Sequence, residues 1–344
     1  MVIGRWRFQG AEGNGDEPEG LPKRDSLAPP NAGARSTNLT RELESVGLIT
    51  RRDVIARITA GALGSTLLSK TGAFGMATRA WGLGLPSEKV VKIGRLKQSV
   101  SYWCYGRIPL PEFARAVAEM GLTAIDLLEE NQWPVVREFG LICSLGWKVG
   151  GDIPKGVNDK ANHDAIVKGL ERALPTAAKN GVPNLITFFG NRHGIGEEES
   201  IDNCVTGLNR IKKAAEDNGV TIVVELLNSK VDHKGYQGDR SAFGVEVIKR
   251  VDSSRVKLLY DIYHMQIMEG DVIRTIRNNQ QYIAHFHTGG VPGRHELDGT
   301  QELNWRAVCS AIADTGFKGY VAHEFVPTRD PLTSLREAVA LCDV

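Results

Sequence analysis

Short runs of hydrophobic residues recur along the chain, and four of them end directly in a metal-binding type of side chain. The runs at 220–224, 256–260, 282–286 and 320–323 are followed by Glu225, Asp261, His287 and Glu324. Short runs rich in β-branched and aromatic residues predict buried parallel strands. Parallel α/β proteins build their active sites where such strands end, so we expect the four side chains to converge.

Glycine recurs between each predicted helix and the strand that follows it. It stands there at positions 121, 140, 181, 219 and 316. Glycine adopts the left-handed conformation that ends helices at no steric cost, so each one predicts a helix-to-strand loop. With the runs at 98–102, 256–260 and 282–287, this pattern predicts eight strands alternating with helices. Such alternation predicts an α/β fold with a single (β/α)8 barrel. A doubly wound open sheet is the alternative, and no GxGxxG motif supports it.

The composition and net charge of the chain narrow the range of functions that we expect for it. The chain has 344 residues, of which 42% are hydrophobic and 24% charged, and its net charge is +1. A near-neutral chain gives no electrostatic reason to expect a nucleic-acid partner. The five cysteines lie far apart and form no CxxC motif. We therefore expect buried thiols, and neither a disulfide framework nor a structural zinc site.

The N-terminal part differs in character from the rest. Residues 1–48 are poor in apolar side chains, which predicts a disordered or wrongly assigned extension. Residues 49–80 contain Arg51 and Arg52, then a mildly apolar stretch and a small-residue end, which resembles a twin-arginine export signal. This predicts export to the periplasm or beyond, with no stable membrane span. An amphipathic helix in a cytoplasmic protein is the alternative. Residues 81–344 are then the catalytic barrel, near the usual size of about 250 residues.

The four strand-end residues are separated by 36, 26 and 37 positions, and each interval is long enough for one strand-helix unit. Three carboxylates and one imidazole form a hard ligand set that suits Mn²⁺ or Mg²⁺, with Co²⁺ as an alternative. A cation chelating a carbonyl and its neighbouring hydroxyl stabilises an enediolate. Glu225 and Glu324 are the pair predicted to remove and return the carbon-bound proton.

Three further residues are candidates for substrate binding. His264 follows Asp261 by three positions and is expected to hydrogen-bond a substrate oxygen. Arg294 and Arg192 follow two of the predicted strands, and either is expected to pair with a substrate carboxylate. We expect His285 to point to the opposite face of its strand from His287. We also expect His323 to point away, and neither of these two histidines is given a role.

From about residue 98 onward the chain resembles the hydroxypyruvate isomerase family of xylose-isomerase-like barrels. The matching segments are FGNR at 189–192, VELLNSKVDH at 224–233, YDIYHMQ at 260–266, VPGRHE at 291–296, ELNW at 302–305 and EF at 324–325. The resemblance implies a divalent metal held by Glu225, Asp261, His287 and Glu324, with both glutamates acting as bases. It further implies reversible conversion of hydroxypyruvate to tartronate semialdehyde.

Several functions remain open at this point. Isomerases of this family often carry Gln at the position of His287, whereas related ketose 3-epimerases carry His, so a ketose 3-epimerase or related sugar isomerase is the first alternative. A non-catalytic secreted sugar-binding barrel is the second. A phosphodiester-cleaving barrel would need more histidine ligands and a basic surface. The substrate, a keto acid or a ketose, the metal and the oligomeric state, a homo-oligomer included, stay undecided.

Overall fold

The computed structural model describes residues 89–344, in which strands and helices alternate. The eight strands are β1 (Lys97–Val100), β2 (Ala124–Leu128), β3 (Ile142–Gly150), β4 (Asn184–Phe188), β5 (Thr221–Leu226), β6 (Val256–Asp261), β7 (Ile283–Thr288) and β8 (Tyr320–His323). The nine α-helices are α1 (Leu110–Met120), α2 (Trp133–Arg137), α3 (His163–Asn180), α4 (Glu197–Asn218), α5 (Ser241–Val251), α6 (Ile262–Met268), α7 (Val272–Asn279), α8 (Trp305–Asp314) and α9 (Pro331–Cys342).

The predicted extension at 1–48 and the predicted signal segment at 49–80 lie outside the described residues. Within residues 89–344, none of the helices is both long enough and apolar enough to cross a membrane. All five cysteines fall in this range and are free, and four of them are buried. The expectation of buried thiols is thus confirmed for all but Cys104, which is half-buried.

The eight strands form one parallel sheet that curls into a nearly closed barrel. Its order is β1-β8-β7-β6-β5-β4-β3-β2, and each strand is parallel to its neighbours in this order. The seam between β1 and β2 is joined by a single parallel bridge, from Ser101 to Asp126. The prediction of one (β/α)8 barrel is confirmed, because consecutive strands lie side by side with helices between them.

The glycine loops have the backbone that the sequence pattern predicts. Gly121, Gly219 and Gly316 follow α1, α4 and α8 with φ of 93°, 67° and 75°. Gly140 and Gly181 also have positive φ. An L-residue with a side chain has a steric penalty in this region, so glycine is favoured at these five positions, where the chain turns from a helix into the next strand.

The helices cover the barrel with their apolar faces. In α4, Cys204, Leu208, Ile211 and Ala215 are buried, in the spacing that places them on one side of a helix. Each fully buried large aliphatic side chain contributes about 1.5–3 kcal/mol relative to an exposed one. The inside of the barrel differs, because it carries fully buried polar side chains. These are Ser99, Asp126, Ser144, His285 and His287, and they lead towards the carboxyl ends of the strands.

Candidate active site

The structure brings together the four predicted metal ligands. Glu225 lies in β5, Asp261 ends β6, His287 lies in β7 and Glu324 directly follows β8. Each offers one ligand atom, and these atoms all lie within 4.8 Å of one another. All four side chains are buried. The strand ends of consecutive barrel units therefore converge as the spacing of these residues predicts.

His287 sits at the centre of the cluster. Its Nδ1 atom lies 2.6 Å from Glu324 Oε2, 3.4 Å from Glu225 Oε1 and 3.9 Å from Asp261 Oδ2. This Nδ1 is buried and has no well-directed hydrogen bond. A ring nitrogen without a well-directed hydrogen bond and three carboxylates around it form a suitable ligand set for a divalent cation that prefers oxygen ligands. The donor set present thus agrees with the metal that the sequence predicts.

Arg294 joins two of the carboxylates. Its Nη2 donates to Asp261 Oδ2 at 2.9 Å and also to Glu324 Oε2. Burial raises the pKa of Asp261 to about 7, since the charge of Arg294 offsets only part of the desolvation. Burial also opposes ionisation of Glu324, but Arg294 and His287 hold the pKa of Glu324 well below its usual range. Glu324 is therefore ionised at neutral pH, whereas Asp261 is the less readily ionised of the two.

His264 lies beside Arg294 and is fully buried. Burial, together with the charge of Arg294, holds the pKa of His264 well below its usual range, so the ring is neutral. Asn228 Nδ2 approaches His264 Nδ1 at 2.7 Å, and Arg294 Nη1 approaches His264 Nε2 at 2.9 Å. A neutral imidazole accepts at only one nitrogen. One of the two donors is therefore left unsatisfied in this arrangement.

The third predicted substrate-binding residue lies elsewhere. Arg192 Nη2 forms an ion pair with Asp239 Oδ2 at 2.8 Å, and Ser229 Oγ donates to the same carboxylate oxygen at 2.5 Å. Arg192 does not contribute to the lining of the cavity above the predicted ligands. The structure thus brings His264 and Arg294 to this cavity but not Arg192. Sequence alone shows which strand an arginine follows, but not which neighbour compensates its charge.

The cavity above the cluster has a volume of about 240 Å³ and is lined by both polar and hydrophobic side chains. The polar ones are Glu225, His233, His264, Arg294 and Glu324. The hydrophobic ones, called here the apolar wall, are Trp103, Leu127, Trp147, Ile153, Ile186, Phe188 and Leu227. Asp261 and His287 are fully buried and do not line it. Of the four predicted ligands, only the two glutamates reach the cavity.

Trp103 is a site residue that the sequence pattern does not reveal. Its side chain lies at the edge of the cavity, and its Nε1 donates to Glu324 Oε1 at 2.6 Å. A hydrogen bond to an ionised carboxylate is among the stronger ones in proteins, and it fixes the direction of that carboxylate. Trp103 follows β1, the first predicted strand. The only local sign of its role in the sequence is that a tryptophan directly follows the first predicted strand.

The expectation for His285 is wrong. His285 Nε2 lies 2.7 Å from Asp126 Oδ2, and His287 Nε2 lies 3.1 Å from the same oxygen. Residues two apart on a strand point to the same face, so both histidines face the barrel interior and Phe286 faces outward. His323 does point away from the cluster, because its Nε2 lies 2.8 Å from Gln98 Oε1 and its Nδ1 lies 3.2 Å from Thr288 Oγ1.

Comparison with known proteins places these features in context. The family model described as a xylose isomerase-like TIM barrel matches residues 112–343. A 2-oxo-tetronate isomerase from Cupriavidus necator is 35% identical over 114 residues, which span 33% of this chain and 43% of that protein. A human protein provisionally named as a hydroxypyruvate isomerase is 25% identical over 245 residues, covering 66% of this chain and 87% of that protein.

Solved structures of similar shape give the same fold. The crystal structure of an AP endonuclease of family 2 from Brucella melitensis has a TM-score of 0.62 and 22% identity, covering 70% of this chain and 97% of that one. A D-psicose 3-epimerase, solved in the presence of D-fructose, has a TM-score of 0.58 and 20% identity, covering 72% of this chain and 96% of that one. These likenesses show a shared barrel.

Proposed function

Because this chain belongs to the xylose isomerase-like TIM barrel family, we propose that it is a divalent-metal-dependent isomerase. It would interconvert a ketone and an aldehyde through an enediolate. One observation carries the proposal: of the four clustered ligands, only Glu225 and Glu324 also line the cavity. Two carboxylates that reach both the metal position and the substrate are what proton transfer between neighbouring carbons requires.

Glu225, Asp261, His287 and Glu324 would hold the cation, Mn²⁺ or Mg²⁺ by the hardness of the set. When bound, it would supply positive charge that acidifies the proton on a carbon next to a carbonyl. The protein would supply the rest. One glutamate takes the proton from carbon and the other returns a proton to the neighbouring carbon.

The residues around the glutamates have supporting roles. Trp103 donates to Glu324 Oε1, and so aims the other oxygen of that carboxylate. His264 and Arg294 line the same cavity and offer hydrogen bonds to substrate oxygens. The apolar wall restricts water from the reacting carbons, and in such surroundings charge interactions are stronger.

For the substrate we propose a small keto acid, with hydroxypyruvate converted to tartronate semialdehyde as the reference reaction. Within residues 89–344, Arg294 is the only arginine or lysine that lines the cavity, and a guanidinium pairs well with a substrate carboxylate. The names of the isomerases in the comparison agree with a keto-acid substrate.

A ketose 3-epimerase is the second candidate. It is supported by the likeness to D-psicose 3-epimerase and by Arg294, which in this structure is already paired with Asp261 and Glu324. If Arg294 keeps its ion pairs with Asp261 and Glu324 when substrate binds, it cannot also pair with a substrate carboxylate. An uncharged ketose would then be preferred over a keto acid.

The test is a substrate screen by NMR in deuterated buffer with Mg²⁺, using hydroxypyruvate and D-psicose as probes. Exchange of a carbon-bound proton with movement of the carbonyl supports the isomerase, and inversion at one carbon supports the epimerase. The variant Glu225→Gln serves as the control that should remove exchange. Wild-type protein that binds Mg²⁺ but exchanges no proton of either probe or of related ketoses would contradict both candidates.

A further inference from the structure

Asp126 lies inside the barrel, beneath the four candidate ligands, and no part of its side chain reaches solvent. Four donors surround its carboxylate. Ser99 Oγ donates to Oδ1 at 3.1 Å and Ser144 Oγ donates to the same atom, while His285 and His287 face Oδ2. A buried carboxylate with a full set of donors stays ionised and holds one orientation. Asp126 is therefore a fixed negative charge within the barrel.

The neighbours of His285 indicate which of its ring nitrogens carries the proton. Asn184 Nδ2 donates to the backbone oxygen of Ser144 at 3.0 Å and faces His285 Nδ1 at 3.5 Å. Because a carboxylate oxygen accepts, the proton belongs on Nε2, and the Asn184 contact agrees with Nδ1 as an acceptor. That Nε2–H points at Asp126 Oδ2, 2.7 Å away. His285 thus holds Asp126 in place from below.

His287 meets the same oxygen from above. Its Nε2 lies 3.1 Å from Asp126 Oδ2, so this nitrogen donates to the carboxylate. The opposite nitrogen, Nδ1, then faces Glu225, Asp261 and Glu324. This hydrogen bond fixes the orientation of the ring and keeps a proton on Nε2, so Nδ1 is the nitrogen left for a cation to bind.

We propose that Asp126 is a positioning residue that sets the tautomer and orientation of His287, so that Nδ1 is the atom offered to the cation. The inference rests on the proposed function, since it assumes that the cluster of four ligands binds a divalent metal. Asp126 touches neither the cavity nor the other three ligands. It acts only through His287, with His285 and the two serines keeping it in place.

A second ion bound by Asp126, His285 and His287 is the competing interpretation, since these three also form a group of metal-binding types. The separations of 2.7 Å and 3.1 Å between Asp126 Oδ2 and the two imidazole nitrogens are those of hydrogen bonds. A cation there would need both Nε2 atoms deprotonated, whereas at these distances each is placed to donate to the carboxylate. The stoichiometry of metal binding separates the two interpretations.

The test measures Mn²⁺ affinity by calorimetry in wild-type protein and in three variants. Asp126→Ala removes the acceptor, Asp126→Asn keeps an acceptor oxygen without the charge, and Asp164→Ala removes an exposed carboxylate that pairs with Arg210 outside the site. We expect affinity to fall about 10-fold to 100-fold in Asp126→Ala, as for other partners of ligating histidines. Asp126→Asn should recover part of the loss, and Asp164→Ala should bind nearly as tightly as wild type.

Nitrogen-15 NMR of the histidine rings gives a second, independent readout. In Mg²⁺-loaded wild-type protein, His287 should carry its proton on Nε2, and in folded Asp126→Asn that proton signal should shift or weaken. A folded Asp126→Ala protein with wild-type Mn²⁺ affinity would overturn the inference, as would a His287 that is protonated on Nδ1 in the loaded protein or a stoichiometry of two ions. Wild-type protein that binds no Mn²⁺ would instead overturn the proposed function along with it.

Discussion

Arg294 and Asp261 form an ion pair beneath the mouth of the barrel, with Nη2 of the arginine 2.9 Å from Oδ2 of the carboxylate. The same guanidinium donates to Glu324 and faces His264, whose ring cannot accept from both of its neighbours. Arg294 therefore neutralises the ligand carboxylates, while one donor at His264, on Arg294 or on Asn228, lacks an acceptor. This places a protein cation in competition with a divalent ion for the same oxygens.

Replacing Arg294 by Gln should act in opposite directions on stability and on metal affinity. Without metal, the variant should lose about 3–5 kcal/mol of unfolding free energy, because the buried carboxylates lose their cation. With Mg²⁺ present the loss should shrink, and Mg²⁺ should bind more tightly than to wild type. Urea unfolding in chelator and in Mg²⁺ measures this. Arg210→Gln, which removes an exposed pair with Asp164, should change stability by less than about 1 kcal/mol. An equal loss in both conditions would contradict the competition.

Glu324→Gln separates catalysis from metal binding. The variant keeps one oxygen for the cation but cannot act as a base, so turnover should fall roughly 100-fold to 10,000-fold while metal is retained. Steady-state kinetics with the substrate found by NMR, together with elemental analysis, measure the two effects. Glu302→Gln, which changes an exposed glutamate that accepts from Gln266, is the control. Near-normal turnover in Glu324→Gln would show that Glu324 is not a base.

Trp103→Phe removes the indole donor to Glu324 and keeps an aromatic ring in the cavity wall. A hydrogen bond to a charged group contributes about 1.5–3 kcal/mol, and the side chain is partly exposed, so we expect turnover to fall about tenfold with a smaller change in KM. Trp147→Phe alters a second tryptophan of the same wall and should change turnover less. Equal effects of the two variants would mean that wall packing, and not the aim of Glu324, governs the rate.

The carboxylate of Glu296, outside the candidate site, should make part of the unfolding free energy depend on pH. Its carboxylate accepts from Thr328 N at 2.8 Å, Thr328 Oγ1 at 2.9 Å and Ser334 Oγ at 2.9 Å. Burial opposes its ionisation, but these hydrogen bonds lower the pKa of Glu296 from 4.5 to about 2. A lowered pKa stabilises the fold above the ordinary value, and this contribution is lost as pH falls from about 4.5 towards 2.

Glu296→Gln should therefore cost about 1–3 kcal/mol at pH 7, and the difference from wild type should shrink by pH 3. Thermal unfolding across this pH range measures the effect. Glu337→Gln changes an exposed glutamate paired with Arg329 and should be nearly neutral throughout. A Glu296→Gln difference that stayed constant with pH would mean that the hydrogen bonds do not depend on the charge.

Export remains a proposal that the N-terminal sequence motivates. Replacing Arg51 and Arg52 by Lys should keep the full-length precursor in the cytoplasm, since a receptor reads the paired arginines. Cell fractionation with a size comparison on a gel measures this. The single change Arg35→Lys, upstream of the pair, is the control. Wild-type protein found only in the cytoplasm at its full length would contradict the export signal.

The order of strands and helices could be predicted from local patterns. The glycines at 121, 219 and 316 mark helix ends through their own backbone preference, which depends little on distant residues. The strand ends at Glu225 and Asp261 follow from apolar runs that stop at a charged residue. In a parallel barrel, these local facts already determine which edge the side chains share.

What the sequence pattern misses depends on pairing across the barrel. Asp126 is a lone acid inside the run of β2, and only the neighbouring strands show that two imidazoles and two hydroxyls meet it. An acid within an otherwise apolar strand was the one local sign of it. The ion pair of Arg192 with Asp239 joins two loops, and no spacing along the chain predicts such a contact.

Asp126 also stands at the seam of the barrel, where it forms the bridge with Ser101 and accepts from Ser99 of β1. Through its carboxylate, Asp126 thus connects Ser99 of β1 with a ligand of the candidate metal centre. If metal binding at His287 depends on this connection, thermodynamic linkage makes separation of β1 from β2 more costly when metal is bound. Amide hydrogens along the seam should then exchange more slowly when Mg²⁺ is bound. Hydrogen exchange at the β1–β2 seam would therefore report whether the candidate metal centre is occupied.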